Sequence, residues 1–133
     1  MTAGPAKADE QATLQTARAV VTLARGDGST VCERCVVADR VLSRMKGLLG
    51  KRALPTGEGL LIRPAPSIHT FFMRFPIDVV FLSRRGEVLK VSPDVKPWRT
   101  RTCRRAYSVL ELAAGEAGRR GIAAGDQVVV AAA

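Results

Sequence analysis

The stretch "SIHTFFMRFPIDVVFLS", Ser67 to Ser83, holds the chain's only histidine, a run of aromatic and β-branched residues, and one carboxylate, Asp78. Its composition and the position of Pro76 read as strand, turn, strand. "IDVVFL" is apolar on both faces except at Asp78, as in a strand covered from both sides. What Asp78 meets depends on register. A two-residue loop at Met73-Arg74 pairs Phe72 with Phe75 and sets His69 opposite Asp78, with Cβ atoms about 5 Å apart. The carboxylate would then orient the imidazole as a general base or metal ligand requires. A loop centred on Phe75 instead sets Met73 against Ile77 and Asp78 against Phe72, and the pair disappears. Pro76 cannot donate to a ladder and prefers a turn or the first position of a strand, which favours the second register. His69 is then a hydrogen-bonded strand residue and Asp78 an acceptor for turn amides, with Arg74 the nearest cation in sequence.

Upstream, "ARAVVTLA" (17–24) and "TVCERCVVA" (30–38) flank Asp-Gly turn chemistry and predict an opening hairpin. Val41, Leu42, Met45, Leu48 and Leu49 then recur at helical spacing behind Asp39, a suitable N-cap, until Pro55 and Gly57 end the helix. "LLIRP" (60–64) is a short strand. Downstream, "SRRGE" is a turn, "VLKVSP" a strand, "PDVKPWRTRTCRR" (93–105) a proline-bounded loop, and "AYSVLEL" a strand containing Glu111. "AAGEAGRRGIAAG" makes a short helical turn with Gly121 as its C-cap, before the closing strand "DQVVVAAA". The expectation is a mostly β (α+β) fold: about eight short strands, one main helix and a short C-terminal helical turn. Closure removes exposed edges, so a small β-barrel-like single domain over 17–133 is expected, behind a disordered lead-in at 1–16.

At 133 residues with 47% hydrophobic content, such a domain buries a core without disulfide staples. With only four Phe, one Trp and one Tyr, that core is mainly aliphatic. No apolar run approaches the roughly 18 residues needed to cross a bilayer, and the N-terminal residues show no signal-peptide block, so a cytoplasmic location is expected. A formal charge of +9 attracts polyanions, although most arginines stand in pairs at predicted turns. Only "WRTRTCRR" combines density with an aromatic, making Trp98, Arg99, Arg101, Arg104 and Arg105 a candidate nucleic-acid contact.

The order "RMKGLLGKRALPTGEGLLI", "IHTFFMRFPIDVVFL", "RRGEVLKV", "YSVLELAAGEAGRRGIAAGDQVVV" resembles the uncharacterised protein family 0127, also catalogued as domain of unknown function 192, over about Ala17 to Val130. The resemblance implies a compact, mostly β, barrel-like domain of bacteria and archaea, found alone or behind a secretion signal, with no established reaction. The family's recurrent positions fall on Gly47, Leu48, Gly59, Met73, Pro76, Ile77, Asp78, Glu111, Gly115, Gly121, Gly125 and Asp126. Where the family commonly shows Lys-Asn after the methionine, this chain has "MRF", so a lysine- or asparagine-dependent role does not transfer.

His69, Asp78 and Glu111 would support acid/base or metal chemistry of a hydrolytic kind if they converged, although Glu111 in a strand is expected to face solvent. Cys32, Cys35, Cys103 and His69 could make a four-ligand metal set. In an extended strand, however, "CERC" spans about 10 Å and sends its thiols to opposite faces, so only a bulge at Glu33-Arg34 would bring them together for a metal or a disulfide. The four glycines of 115–125 lack the spacing of a phosphate loop. The leading expectation is a ligand-binding or interaction module with no cofactor. Phe71, Phe72 and Met73 would form its apolar wall, Arg74, Asp78 and His69 would supply polarity, and the partner would be a small ligand or a protein.

Overall fold

The computed structural model of the chain describes residues 19–38 and 52–131; the expected lead-in at 1–16 and the helix expected behind Asp39 lie outside them. Among the described residues nine strands are formed: β1 (Val20–Arg25), β2 (Thr30–Ala38), β3 (Glu58–Ile62), β4 (Ser67–His69), β5 (Ile77–Leu82), β6 (Val88–Val95), β7 (Thr100–Thr102), β8 (Ser108–Ala113) and β9 (Val128–Val130). A single helical turn, α1 (Glu116–Arg119), precedes β9. Seven strands make one sheet in the order β6-β5-β8-β3-β2-β1-β9, and β4 with β7 forms a separate two-stranded ribbon. Every ladder is antiparallel except β2 with β3, whose parallel pairing needs the long connection across residues 39–57.

All six residues of β5 are buried, as its two-faced apolar composition predicts, because β5 lies between β6 and β8 and both faces of the sheet are covered. On one face Val80, Leu82, Leu110, Leu112 and Leu61 pack with Ala117 of α1 and with Ile122. On the other, Ile77, Val79, Phe81, Val109 and Ile62 pack under Ile68 of the ribbon and under Met73 and Phe75 of the loop after β4. Each such aliphatic or aromatic side chain contributes about 1.5–3 kcal/mol when fully buried. Gly121, at φ 65, ends α1 as the sequence predicts: its amide bonds Gly118 O and the Ile122 amide bonds Ala117 O, the double closure of a Schellman turn.

The expected hairpin over 67–83 does not form. β4 pairs with β7, in the segment expected to be a loop, whereas β5 pairs with β6 and β8, so neither proposed register exists. Residues 70–76 form a wide loop held to residues 96–99, and Pro76 directly precedes the first residue of β5. Barrel closure is also incomplete. Among the described residues the outer strands β6 and β9 are joined by the Glu87–Gln127 bridge and its flanking bonds, Val88 N to Asp126 O, Val128 N to Gly86 O and Gly125 N to Val88 O. A three-residue β9 cannot extend that contact into a ladder. At the closure a Cβ on Gly86 would collide with Val128 O, so only glycine fits there.

Asp78 is fully buried, and its register explains its partners. Ile77 opposes Val95 while Val79 opposes Ser92, so Pro93 and Asp94 bulge opposite Asp78. The Asp94 amide, freed by the bulge, donates to Oδ1 at 2.8 Å, and the Ala117 amide in the first turn of α1 donates to Oδ2 at 2.8 Å. Gly115, the N-cap of α1, has no side chain to offer, and Asp78 supplies the missing acceptor. Asp78→Ala therefore leaves two amides without their acceptor and is expected to destabilise the fold by about 3–5 kcal/mol in urea unfolding.

Glu116, also buried, accepts from Arg119 and Arg120, and Arg120 reaches on to Glu33 at 2.7 Å. Burial favours its neutral acid, but the hydrogen bonds from the two guanidinium groups outweigh it and hold the carboxyl below its ordinary 4.5. A carboxyl depressed on folding adds stability above its unfolded value, and that stability is lost as pH falls through the folded one. Glu116→Gln should lower the melting temperature at pH 7 and flatten the loss of stability below about pH 4.5, measured by thermal melts from pH 7 to pH 2.

Candidate functional site

The residues that suggested acid/base chemistry stand apart. Asp78 faces the side of the sheet that carries α1. Glu111 is aligned with Val79 and Leu60, so it lies on the opposite face. It is buried rather than solvent-facing, because its strand sits inside a sheet covered on both sides. His69 is exposed on the ribbon, its Nδ1 accepting the Phe71 amide at 3.3 Å. The metal set is equally divided. Cys32 and Cys35 lie in the core cluster under α1, Cys103 packs against the other cluster, and among the described residues no three potential ligands group together.

What the fold does assemble is a row of rings. His69 stacks on Phe71 with centroids 4.8 Å apart, Phe71 on Trp98 at 5.6 Å, and Phe72 meets Trp98 at 4.6 Å with planes tilted by 59°. Three of the chain's six Phe, Tyr and Trp residues and its only histidine thus share one tip, although apolar rings are scarce and both core faces could use them. Phe72 is 68% exposed and Trp98 55%. Both adopt left-handed backbone, φ 68 and φ 67, which costs roughly 1–3 kcal/mol at each bulky residue.

Thr70 holds this geometry. Fully buried, it donates its hydroxyl to Lys96 O at 2.6 Å and accepts the Arg99 amide at 2.9 Å. Its own amide bonds Arg99 O, and its carbonyl accepts from Trp98 and Met73. Met73 and Phe75 are buried beneath the tip as anchors, so of the expected apolar wall only Phe71 and Phe72 are presented outward. Asp78 contributes nothing to this surface except through Asp94, whose left-handed turn opens the path to residues 96–99.

The ribbon also concentrates charge. Residues 66–76 and 96–106 contain Arg74, Lys96, Arg99, Arg101, Arg104 and Arg105 and no Asp or Glu. Lys96 pairs with Asp94 at 2.8 Å; the five arginines make no acidic ion pair among the described residues. Phe71 and Phe72 on one segment and Trp98 on the other, which sequence reasoning kept separate, are brought into contact where β4 pairs with β7. Thr70 and Lys96 escaped that reasoning, since neither belongs to a local motif.

The family model for DUF192, described as "Uncharacterized ACR", matches residues 20–130. The chain belongs to the DUF192 family. Two crystal structures share the fold of this DUF192 chain. One is a proposed transcription regulator from Sinorhizobium meliloti 1021, with a TM-score of 0.76 at 22% identity over 85% of this chain and 95% of that one. The other is a protein of unknown function from Novosphingobium aromaticivorans DSM 12444, with a TM-score of 0.72 at 23% identity over 84% of each chain. No curated protein matches the sequence. Several positions singled out by the family resemblance serve the scaffold here: Asp78 as the buried acceptor, Gly121 as the end of α1, and Met73 as an anchor below the tip.

Thr70→Val removes the hydroxyl while keeping the shape. It should destabilise the fold by about 1–3 kcal/mol and shift the emission of Trp98, the only tryptophan, whereas Thr70→Ser should keep the wild-type spectrum.

Proposed function

We propose that the protein is a binding module whose ligand is single-stranded nucleic acid, held on the β4–β7 ribbon. The carrying observation is that the exposed rings of Phe72 and Trp98 lie in segments that also carry five arginines with no acidic ion pair among the described residues, Lys96 alone being paired with Asp94. Bases stack on aromatic faces with little regard to sequence, at about 1–3 kcal/mol per base, while lysine and arginine track the phosphates. Trp98 and Phe72 would supply stacking, with His69 and Phe71 as their support, and Arg74, Arg99, Arg101, Arg104 and Arg105 the electrostatic contacts. The strained backbone at Phe72 and Trp98 supports this reading, since a bulky ring is kept in left-handed backbone and in water only where the surrounding bonds hold it there. The reading takes the domain to be a single barrel-like unit, with the sheet edges meeting at Gly86, and the protein to work in the cytoplasm, where such strands occur. It assigns no catalytic step, because His69, Asp78 and Glu111 are separated.

The test is a titration of Trp98 fluorescence with a mixed-sequence single-stranded oligonucleotide. Quenching is expected, with affinity falling steeply from low to moderate salt and the salt slope dropping by about 0.7 for each arginine replaced by alanine. Phe72→Ala should weaken binding by about 1–3 kcal/mol without lowering the melting temperature, because the side chain is exposed. Absence of binding at low salt, or binding indifferent to both Phe72→Ala and Arg99→Ala, would sink the proposal.

A further inference from the structure

The opposite face of the sheet carries a feature the aromatic tip does not use. In β2, Cys35 opposes Val21 and Cys32 opposes Leu23, so Glu33 and Arg34 together face Thr22, whose hydroxyl donates to Glu33 O at 2.8 Å. This bulge turns the odd offset of the two cysteines into a shared orientation, and both are completely buried in the cluster under α1. The expectation that "CERC" sends its thiols to opposite faces is thereby overturned. The three steps from Cys32 to Cys35 now match two steps of β1, a separation of about 7 Å in place of about 10 Å. That is the upper edge of the Cα spacing a disulfide accepts.

Their surroundings differ. The Cys32 thiol lies 3.5 Å from Gly57 O and 2.9 Å from where a Cβ on residue 59 would stand, so the glycine there makes its room. A hydrogen bond from Cys35, helped by the charge of Arg120, holds the Cys32 thiol below its ordinary 9.0, while the same bond and burial push Cys35 up. Cys32 is covered by the turn at Pro55–Glu58, where Pro55 and Thr56 are exposed and the Glu58 amide bonds Pro55 O.

We propose that Cys32 and Cys35 are a redox-active dithiol that closes reversibly to an internal disulfide by exchange with a low-molecular-weight disulfide such as oxidised glutathione. When the Pro55–Glu58 turn opens, the Cys32 thiolate attacks one glutathione sulfur, breaking its S–S bond and releasing one glutathione thiolate. Cys35 then gives up its proton and attacks the Cys32 sulfur of the mixed disulfide, releasing the second glutathione thiolate. The two cysteine protons end on the two glutathione thiols; the dithiol is oxidised by two electrons and the glutathione disulfide reduced by two. A bridge at the edge of the spacing window is strained, which makes it easy to reduce again.

The experiment uses the folded Cys103→Ser chain, so that only the pair titrates. It is equilibrated at graded ratios of reduced to oxidised glutathione, quenched with acid, alkylated in denaturant and weighed intact. Both alkylation sites should disappear together as the ratio becomes oxidising, with the loss of two hydrogens, and return on addition of dithiothreitol. Alkylation of both thiols at every ratio, glutathione adducts without an internal bridge, or oxidation only after unfolding in urea would each overturn the proposal. Adding Cys35→Ser should trap one glutathione on Cys32, and adding Cys32→Ser should trap none; the reverse would overturn the assignment of Cys32 as the attacking thiol.

Discussion

The two oxygens of the Asp78 carboxylate are the joint on which this structure turns. A buried carboxyl needs hydrogen-bond partners, and Asp78 finds them in the amides of Asp94 and Ala117, at 2.8 Å each. One side chain thereby ties the buried strand β5 to the edge strand β6 and to the helical turn that roofs one core face. The bond to Asp94 also fixes the left-handed residue from which the chain departs toward Trp98. The carboxylate that could have served chemistry is architecture, and the chain that leads to the exposed rings departs beside it.

Bulges on two strands show how one extra residue redirects function. In β6 the bulge at Pro93–Asp94 frees an amide for Asp78 and lets an exposed proline sit harmlessly on an edge strand. In β2 the bulge at Glu33–Arg34 brings Cys32 and Cys35 to the same face. Glu33, carried outward by that bulge, meets Arg120, which also holds Glu116. An ionic network thus spans the rim of the same core that buries the thiols.

The ribbon obeys a different balance. Phe72 and Trp98 forgo the burial that Phe75 and Phe81 obtain, and their backbone is strained as well. Thr70, buried and bonded through its amide, carbonyl and hydroxyl, offsets that strain locally. Arginines crowded without acids repel one another, an effect that salt softens and that a polyanion would reverse.

Much of this was legible in the residues themselves. The strand content, the opening hairpin, the double coverage of β5 and the glycine that ends α1 follow from local periodicity and backbone freedom, which neighbouring residues determine. The charge of 98–105 and the apolar wall at Phe71 and Phe72 could be read in the same way. The separation of His69 from Asp78 could be expected from Pro76, although not the pairing that produces it; the pairing of β4 with β7 and the burial of Glu111 could not be read at all. Which strands become neighbours depends on edges left free by all the others and on what covers each face. A one-residue bulge reverses the facing of everything beyond it without altering the composition from which facing is read. The sequence by itself therefore determined a mostly β chain with basic and aromatic segments, and only the tertiary structure decided that those segments meet, because their meeting rests on contacts about thirty residues apart.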